Sequence, residues 1–339
     1  MHYDRQVKYE YGTENEKLSI TIHSCLLQTQ SQFQDIAIYQ TGAYGKVLML
    51  DGLIQSTEKD EHRYHESLIH PAMIAHDEPR SVLIIGGGEG ATAREILRYP
   101  SVQRVVMVDI DAFLIEQCEK FLPEWHQNAF DDPRLELIIG DGLQYVKNCR
   151  EMFDIIIVDV CDGFEESDPT IEFFSKKFYK QLKSILEIRG IVVYQAMCAS
   201  EFENEEFAEV YHGLKKAFTF ASPYMTYIPS FWSQWGFVVA SDVHNVGGMN
   251  PAFIDKQLEL RNIEKHLKFF DGSSFMRMFA LPKDTRLSLK KFAKEIKSSP
   301  KETQTPVSNI ESVVPAKPEV VRSISKKQVS KLVSGTMVS

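Results

Sequence analysis

Gly86-Gly87-Gly88-Glu89-Gly90-Ala91 stands between an apolar run, SVLIIGG, and a helical stretch, GATAREILRY. This is the G-x-G-x-x-A form of a nucleotide-binding turn, whose glycines let the backbone turn tightly and approach a ligand closely. Asp109 ends the next apolar run, RVVMVDID, where it can accept hydrogen bonds from a ribose diol. An adenosine-type ligand is expected. A dinucleotide would set its diphosphate on the helix N-terminus, yet that loop carries Glu89. Unit charges about 4 Å apart interact by roughly 1–4 kcal/mol at dielectric constants of 80 to 20. The loop therefore repels a diphosphate and attracts a cation, which disfavours NAD and favours S-adenosylmethionine or a relative carrying a sulfonium and an ammonium.

Further acids follow the same rule of placement. Asp141 ends LELIIGD, and Asp159 and Asp162 follow FDIIIV. Ligands of open α/β sheets bind outside the carboxyl ends of the strands. Any one acid there can be a plain helix cap, but five together predict a crevice walled with carboxylates and lacking a basic partner. Such a crevice suits a polycation or a metal. His62, His65, His70 and His76 crowd one segment, and HESLIH resembles a zinc motif superficially. Its spacing sets His65 and His70 about 140° apart around a helix, which cannot serve one ion. No metal site is expected.

These residues need a scaffold. LSITIHSCLL, DIAIYQT and KVLML-DG-LIQST read as β, with Asp51-Gly52 a two-residue hairpin signal. DEHRYHESLIHPAMIAH reads as a helix that Pro71 is expected to break or kink. Short apolar strands then alternate with amphipathic helices as far as EFENEEFAEVYHGLKKAF, which predicts a doubly wound parallel sheet. PYMTYIP and WGFVVASD have no helical segment between them and predict an antiparallel pair at one edge. The fold class is α/β, with a small N-terminal β domain (1–60) before a methyltransferase-like, Rossmann-like catalytic domain (61–285). A basic tail (286–339), with one possible helix in LSLKKFAKEIK, is expected to be disordered from about Ser298.

Composition narrows the class. The 339 residues carry a formal net charge of −9, with 12 Lys+Arg against 5 Asp+Glu in 283–339 and 26 against 42 before them. An acidic body is a poor partner for nucleic acid and a plausible one for cationic ligands. Five scattered cysteines without a CxxC argue against a disulfide framework. No stretch approaches the roughly 18 apolar residues of a membrane span, and the polar N-terminus is no signal peptide, so a cytoplasmic location is expected.

The stretches SQFQDIAIYQT, LMLDGLIQSTEKDEHRYHE, VLIIGGGEGATAREIL, GDG and VDVCD, in this order and spacing, resemble the spermidine/spermine synthase family over roughly residues 15 to 285. Within it, GGGEGATAREIL, DEHRYHESLIHPA and YIPSFWSQWGFVVASD look most like thermospermine synthases. The resemblance implies an aminopropyltransferase that uses decarboxylated S-adenosylmethionine as co-substrate and no other cofactor. It implies that Gln34 and Gln55 help to hold the donor, with Gly86 and Gly88 in its turn. Glu89 would bind the aminopropyl ammonium, Asp109 the ribose hydroxyls and Asp141 the adenine amino group. Tyr64, Asp162, Gln195 and Tyr227 would surround a polyamine acceptor, with Asp159 as catalytic base. A homodimer through the N-terminal β region is likewise implied. The family's DxxDP motif is altered: Gly163 replaces the proline, and Phe164-Glu165-Glu166-Ser167-Asp168 is inserted after it. Phe231, Trp232 and Trp235 could line the tunnel for the polyamine's methylenes or could be ordinary core. A spermidine synthase using putrescine, a methyltransferase on the same fold, and a catalytically silent polyamine-binding subunit are the competing readings.

Overall fold

Alternation of period two in LMLDGLIQST and its neighbours needs a partner on each side, and the computed structural model, which describes residues 5–10, 17–160, 169–200 and 204–298, supplies them. Strands β1 (Arg5–Glu10), β2 (Lys17–Gln30), β3 (Asp35–Thr41), β4 (Gly45–Leu50) and β5 (Leu53–Thr57) form one antiparallel sheet in chain order. Asp51 and Gly52 join β4 to β5 with φ of 48° and 80°, the left-handed pair that a tight two-residue hairpin requires. Both faces of this sheet are covered. Ile36, Ile38, Leu48 and Leu50 pack with Leu114, Leu122 and Trp125, while Val47, Met49 and Ile54 pack with Ile228 and Phe231. The strand β1 lies in a polar, mixed-charge segment that carries no strand pattern and was not expected.

The second sheet comprises β6 (Ser81–Gly86), β7 (Arg104–Asp109), β8 (Leu135–Ile139), β9 (Phe153–Asp159), β10 (Leu186–Cys198), β11 (Phe220–Ile228) and β12 (Ser233–Ser241). Its order is β11-β12-β10-β9-β6-β7-β8. The five strands from β8 to β10 run parallel, and β12 and β11 close one edge antiparallel, as the sequence predicts. Alternate residues go to opposite faces. Leu83, Val106 and Ile156 meet α6 (Lys176–Ser184) and α7 (Glu205–Ala217) through Phe178, Leu182 and Phe207. Val82, Val105 and Ile155 meet α1 (Glu61–Ala75) and α2 (Ala91–Leu97) through Leu68, Ile69, Ala93 and Ile96. Strands buried on both faces explain the unbroken apolar runs. The remaining helices are α3 (Ala112–Phe121), α4 (Pro123–His126), α5 (Gly142–Asn148), α8 (Pro251–Leu260), α9 (Gly272–Phe279) and α10 (Lys283–Ser298). Ile254, Phe275 and Met278 of α8 and α9 join the face that α1 covers, an outer layer absent from the sequence reading.

Of the expected break or kink at Pro71, the break does not occur. Helix α1 runs through Pro71 from Glu61 to Ala75. A proline at that position leaves the carbonyl four residues earlier, that of Ser67, without its helical donor, and the buried Tyr224 hydroxyl donates to it at 3.0 Å. A tertiary hydrogen bond stands in for the missing one. The possible helix in LSLKKFAKEIK is present, as α10. Helix α10 continues to Ser298 because Leu289 is buried, its carbonyl lies 2.7 Å from His212 Nε2, and Ser288 Oγ donates to Asn204 Oδ1 at 2.7 Å. Residues 299–339 lie outside the described residues.

Tyr224→Phe removes only the donor and leaves a buried carbonyl unpaired, which costs about 1–3 kcal/mol. Denaturant unfolding should show stability lowered by that amount, as a lower midpoint with an unchanged slope; an unchanged midpoint would show that α1 tolerates Pro71 without Tyr224.

Candidate active site

Parallel register brings the predicted acids to one edge. Gly86 stands opposite Asp159, Ile85 opposite Val108, and Asp109 opposite Ile139. Strand β6 lies between β7 and β9, so chain order reverses there, at the topological switch point where open α/β sheets bind ligands. Gly86 has φ of 84°, and a Cβ on it would come within 2.1 Å of the Asp159 carbonyl oxygen. Only glycine fits. The Gly87 N–H donates to that same oxygen at 3.1 Å, which fastens the turn to β9.

Asp109 lies beside this turn. Burial pushes its carboxyl up to about 6, against backbone N–H groups of Asp111 and Gly88 that favour the charged form and with Asp111 and Asp159 adding repulsion. Asp111 Oδ1 accepts from the Leu114 N–H and so caps α3, while its Oδ2 accepts from Gln34 Nε2 at 2.9 Å and Ser31 Oγ at 2.6 Å. The β2–β3 connection of the small sheet is thereby pinned to the crevice, which brings Gln34 to it. Gln55 is half-buried on β5 and, among the described residues, hydrogen-bonded to none of these acids. Asp141 caps α5, one carboxylate oxygen accepting from the Leu143 N–H at 2.8 Å.

Asp159 is held on both oxygens. Tyr64 donates to Oδ1 at 2.6 Å and Thr92 to Oδ2 at 2.6 Å. Gln195 is buried, with Nε2 donating to the Val160 carbonyl at 2.7 Å and Oε1 accepting from the Met197 N–H at 3.1 Å. Its amide therefore shapes the wall at the end of β9. Tyr227 is 40% exposed on the edge strand β11. Phe231 and Trp235 pack at 4.8 Å between ring centroids, with Tyr64 6.2 Å from Phe231, while Trp232 is 54% exposed. Asp162, Gly163 and the acidic insertion lie outside the described residues.

The expectation of a crevice without a basic partner is wrong. Glu89 Oε1 lies 2.8 Å from His65 Nε2, and His65 Nδ1 lies 3.0 Å from Glu61. Burial disfavours the imidazolium, but Glu89 and Glu61 outweigh it and hold the ring protonated up to about 10. Behind it, Arg94 bridges Glu61 at 2.8 Å and Glu95 at 2.7 Å, and His70 meets Glu95 at 3.1 Å. His65 and His70 thus serve different carboxylates. Sequence reasoning tested both only as metal ligands and passed over Thr92, Asp111 and His65 as partners of the acids. The i, i+4 spacing of Glu61 and His65 was the available signal.

A family model described as the spermine/spermidine synthase domain matches residues 61–247, and one described as the spermidine synthase tetramerisation domain matches residues 7–58. This chain belongs to the spermine/spermidine synthase family. The polyamine aminopropyltransferase of Sulfolobus acidocaldarius is 42% identical over 277 residues, 82% of this chain and 91% of its own. Polyamine aminopropyltransferase 2 of Pseudomonas aeruginosa is 42% identical over 264 residues, 78% of this chain and 75% of its own. A spermidine synthase solved in complex with the transition state analogue AdoDATO superposes with a TM-score of 0.78 at 29% identity, covering 86% of this chain and 96% of its own. The spermidine synthase of Thermotoga maritima gives 0.76 at the same identity and coverage. As a member of the spermine/spermidine synthase family the chain is a polyamine aminopropyltransferase. No described helix is long and apolar enough to cross a membrane.

A group whose folded pKa is raised adds stability that is complete below its unfolded value and is lost as pH climbs through the folded value. For His65 that window runs from about 6.5 to about 10. His65→Gln should therefore lower the melting temperature most below pH 6.5 and progressively less towards pH 10. A deficit independent of pH would mean that the imidazolium does not bind these acids together.

Proposed function

We propose that this crevice transfers the aminopropyl group of decarboxylated S-adenosylmethionine to an amine of a polyamine, releasing methylthioadenosine, with Asp159 as general base. The observation that carries the reading is the Asp159 carboxylate at the switch point, level with the glycine turn and bonded to Tyr64 at 2.6 Å. The sulfonium makes the adjoining aminopropyl methylene electrophilic. The amine nitrogen forms a bond to that carbon as the carbon–sulfur bond breaks, and the pair of that bond stays on sulfur. An amine with a lysine-like pKa near 10.4 is mostly protonated at pH 7, so attack requires the proton to leave. Asp159 takes it. General-base help of this kind gives about 10² to 10⁴-fold, and alignment of the two reactants supplies much of the rest.

On this reading Asp109 receives the ribose diol, Gln34 and Gln55 hold the nucleoside, and Gly86 and Gly88 let it approach the backbone. Glu89 receives the donor's ammonium, turning from or sharing His65. Asp141 uses its second oxygen for the adenine amino group. Tyr64, Asp162, Gln195 and Tyr227 surround the acceptor, and Phe231 and Trp235 flank its methylenes. The YIPSFWSQWGF stretch supports spermidine as acceptor and thermospermine as product. The solved spermidine synthases that this chain resembles favour the second reading, putrescine to spermidine. The match of 7–58 to a tetramerisation domain supports assembly through the small sheet, and a homodimer is the smallest such assembly.

A diol bonding to Asp109 favours its ionised form. With its carboxyl at about 6 in the free protein, methylthioadenosine binding at pH 6 should release about half a proton, and almost none at pH 8. Calorimetry in buffers of different ionisation heat measures this, and equal values at the two pH values would remove Asp109 from the ribose site. Asp159→Asn should lower turnover by about 10² to 10⁴-fold while methylthioadenosine still binds. Chromatography of products from putrescine and from spermidine identifies the acceptor, and turnover of the variant near that of the parent would refute the general base.

A further inference from the structure

The hydroxyl of Thr92 has no part in the reading above. Thr92 is fully buried in the first turn of α2, and its Oγ1 lies 2.6 Å from Asp159 Oδ2. In the first turn of a helix a threonine hydroxyl has no helical carbonyl four residues earlier to bond, and this one is directed across to β9. Its β-branched side chain has few rotamers there, and α2 itself is fixed. Gly90 caps the helix in the left-handed region at φ 80°, where a Cβ would come within 2.7 Å of His126 and Phe130. Arg94 ties the same helix to Glu61 of α1. Tyr64 comes from α1, so Asp159 receives one hydroxyl from each of two helices that are ionically joined.

We propose that Thr92 is a positioning residue for Asp159, closing one side of a two-hydroxyl clamp that fixes the plane of the carboxylate. The proposal rests on the reading of Asp159 as general base. An ionised carboxylate offers about four lone-pair directions, two on each oxygen. With Tyr64 on Oδ1 and Thr92 on Oδ2, the group cannot turn about its Cβ–Cγ bond without breaking both contacts. One direction on each oxygen stays available to the acceptor's ammonium. With Tyr64 alone, the carboxylate can pivot about that single bond and the proton-accepting lone pair moves off the line of transfer. Displacements of about 1 Å in such groups cost on the order of 10²-fold.

Thr92→Val keeps the shape and deletes the donor. Its kcat should fall by about 10 to 10²-fold, with the KM for the donor unchanged within about twofold, because Asp109 and Glu89 are untouched. Thr92→Ser, which restores a hydroxyl, should recover most of the loss. Added to Asp159→Asn, Thr92→Val should lower the residual rate no further, since the clamp would have no carboxylate base to hold. Turnover of Thr92→Val equal to the parent, failure of serine to rescue, or full additivity with Asp159→Asn would each overturn the proposal. Methylthioadenosine binding and thermal melting report whether the variant is folded; if it is not, Thr92→Ala takes its place with the same expectations. If Asp159→Asn itself keeps its turnover, the general-base reading fails first, a result distinct from a silent Thr92→Val beside an inactive Asp159→Asn.

Discussion

A buried charge is tolerated only when it is paired and hydrogen-bonded, and helix α1 applies this constraint along its length. Asp60, at its N-terminus, accepts from the Ser230 N–H at 2.7 Å and from Thr57, which ties the β11–β12 connection and the small sheet to the start of the helix. Glu61 takes Arg94 of α2. Glu66 accepts from the N–H groups of Lys268, Phe269 and Phe270, each at 2.8 Å, holding the segment before α9. Opposing charges drive Glu61 down to about 2 in spite of burial. Removing one member of such a set costs about 3–5 kcal/mol, so the helix has little freedom to shift against its neighbours. Tyr64 and His65 lie within this anchored stretch and meet Asp159 and Glu89 at 2.6 and 2.8 Å. The crevice inherits its geometry from the core.

That inheritance also tempers the crevice's charge. Counting acids alone overstates the field, because His65 faces Glu89 as an imidazolium. The unliganded crevice is therefore less negative than its composition, which limits the repulsion that its walls must absorb before a cation arrives. Stabilising carboxylates by neighbours within the fold allows them to stand ready without a bound counterion.

The fold was largely legible because its strands are buried on both faces and so read as unbroken apolar runs, and because Asp51-Gly52 and Gly86 need backbone angles that their residue types permit. The edge pair β11–β12 was legible from the missing helix between its strands. Three features were not. Strand β1 takes its pairing from β2 rather than from its own pattern. The hydrogen bond that stands in for the one lost at Pro71 in α1 comes from Tyr224, more than 150 residues away. The partners of Glu89 and Asp159 come from α1 and α2, and nothing local in sequence announces that His65 turns towards Glu89 or Thr92 towards Asp159. Residue type predicted which acids gather at the strand ends; only packing shows which of them are already engaged.

Engagement matters for product release in the proposed reaction. The donor brings two positive charges, on its sulfonium and its ammonium, and after transfer the nucleoside product carries neither. The lengthened polyamine carries the transferred ammonium away with it, and in the proposed step one proton passes to Asp159. On the proposed reading, Glu89 loses the ligand charge it held and still has His65 at 2.8 Å to return to, so the emptied site is not left with an unpaired half-buried carboxylate. A crevice whose acids had no protein partners would bind its cations more tightly and suffer more on releasing them. On that reading the pairing of Glu89 with His65 lowers affinity for the charged donor and lowers the penalty of product departure by the same interaction.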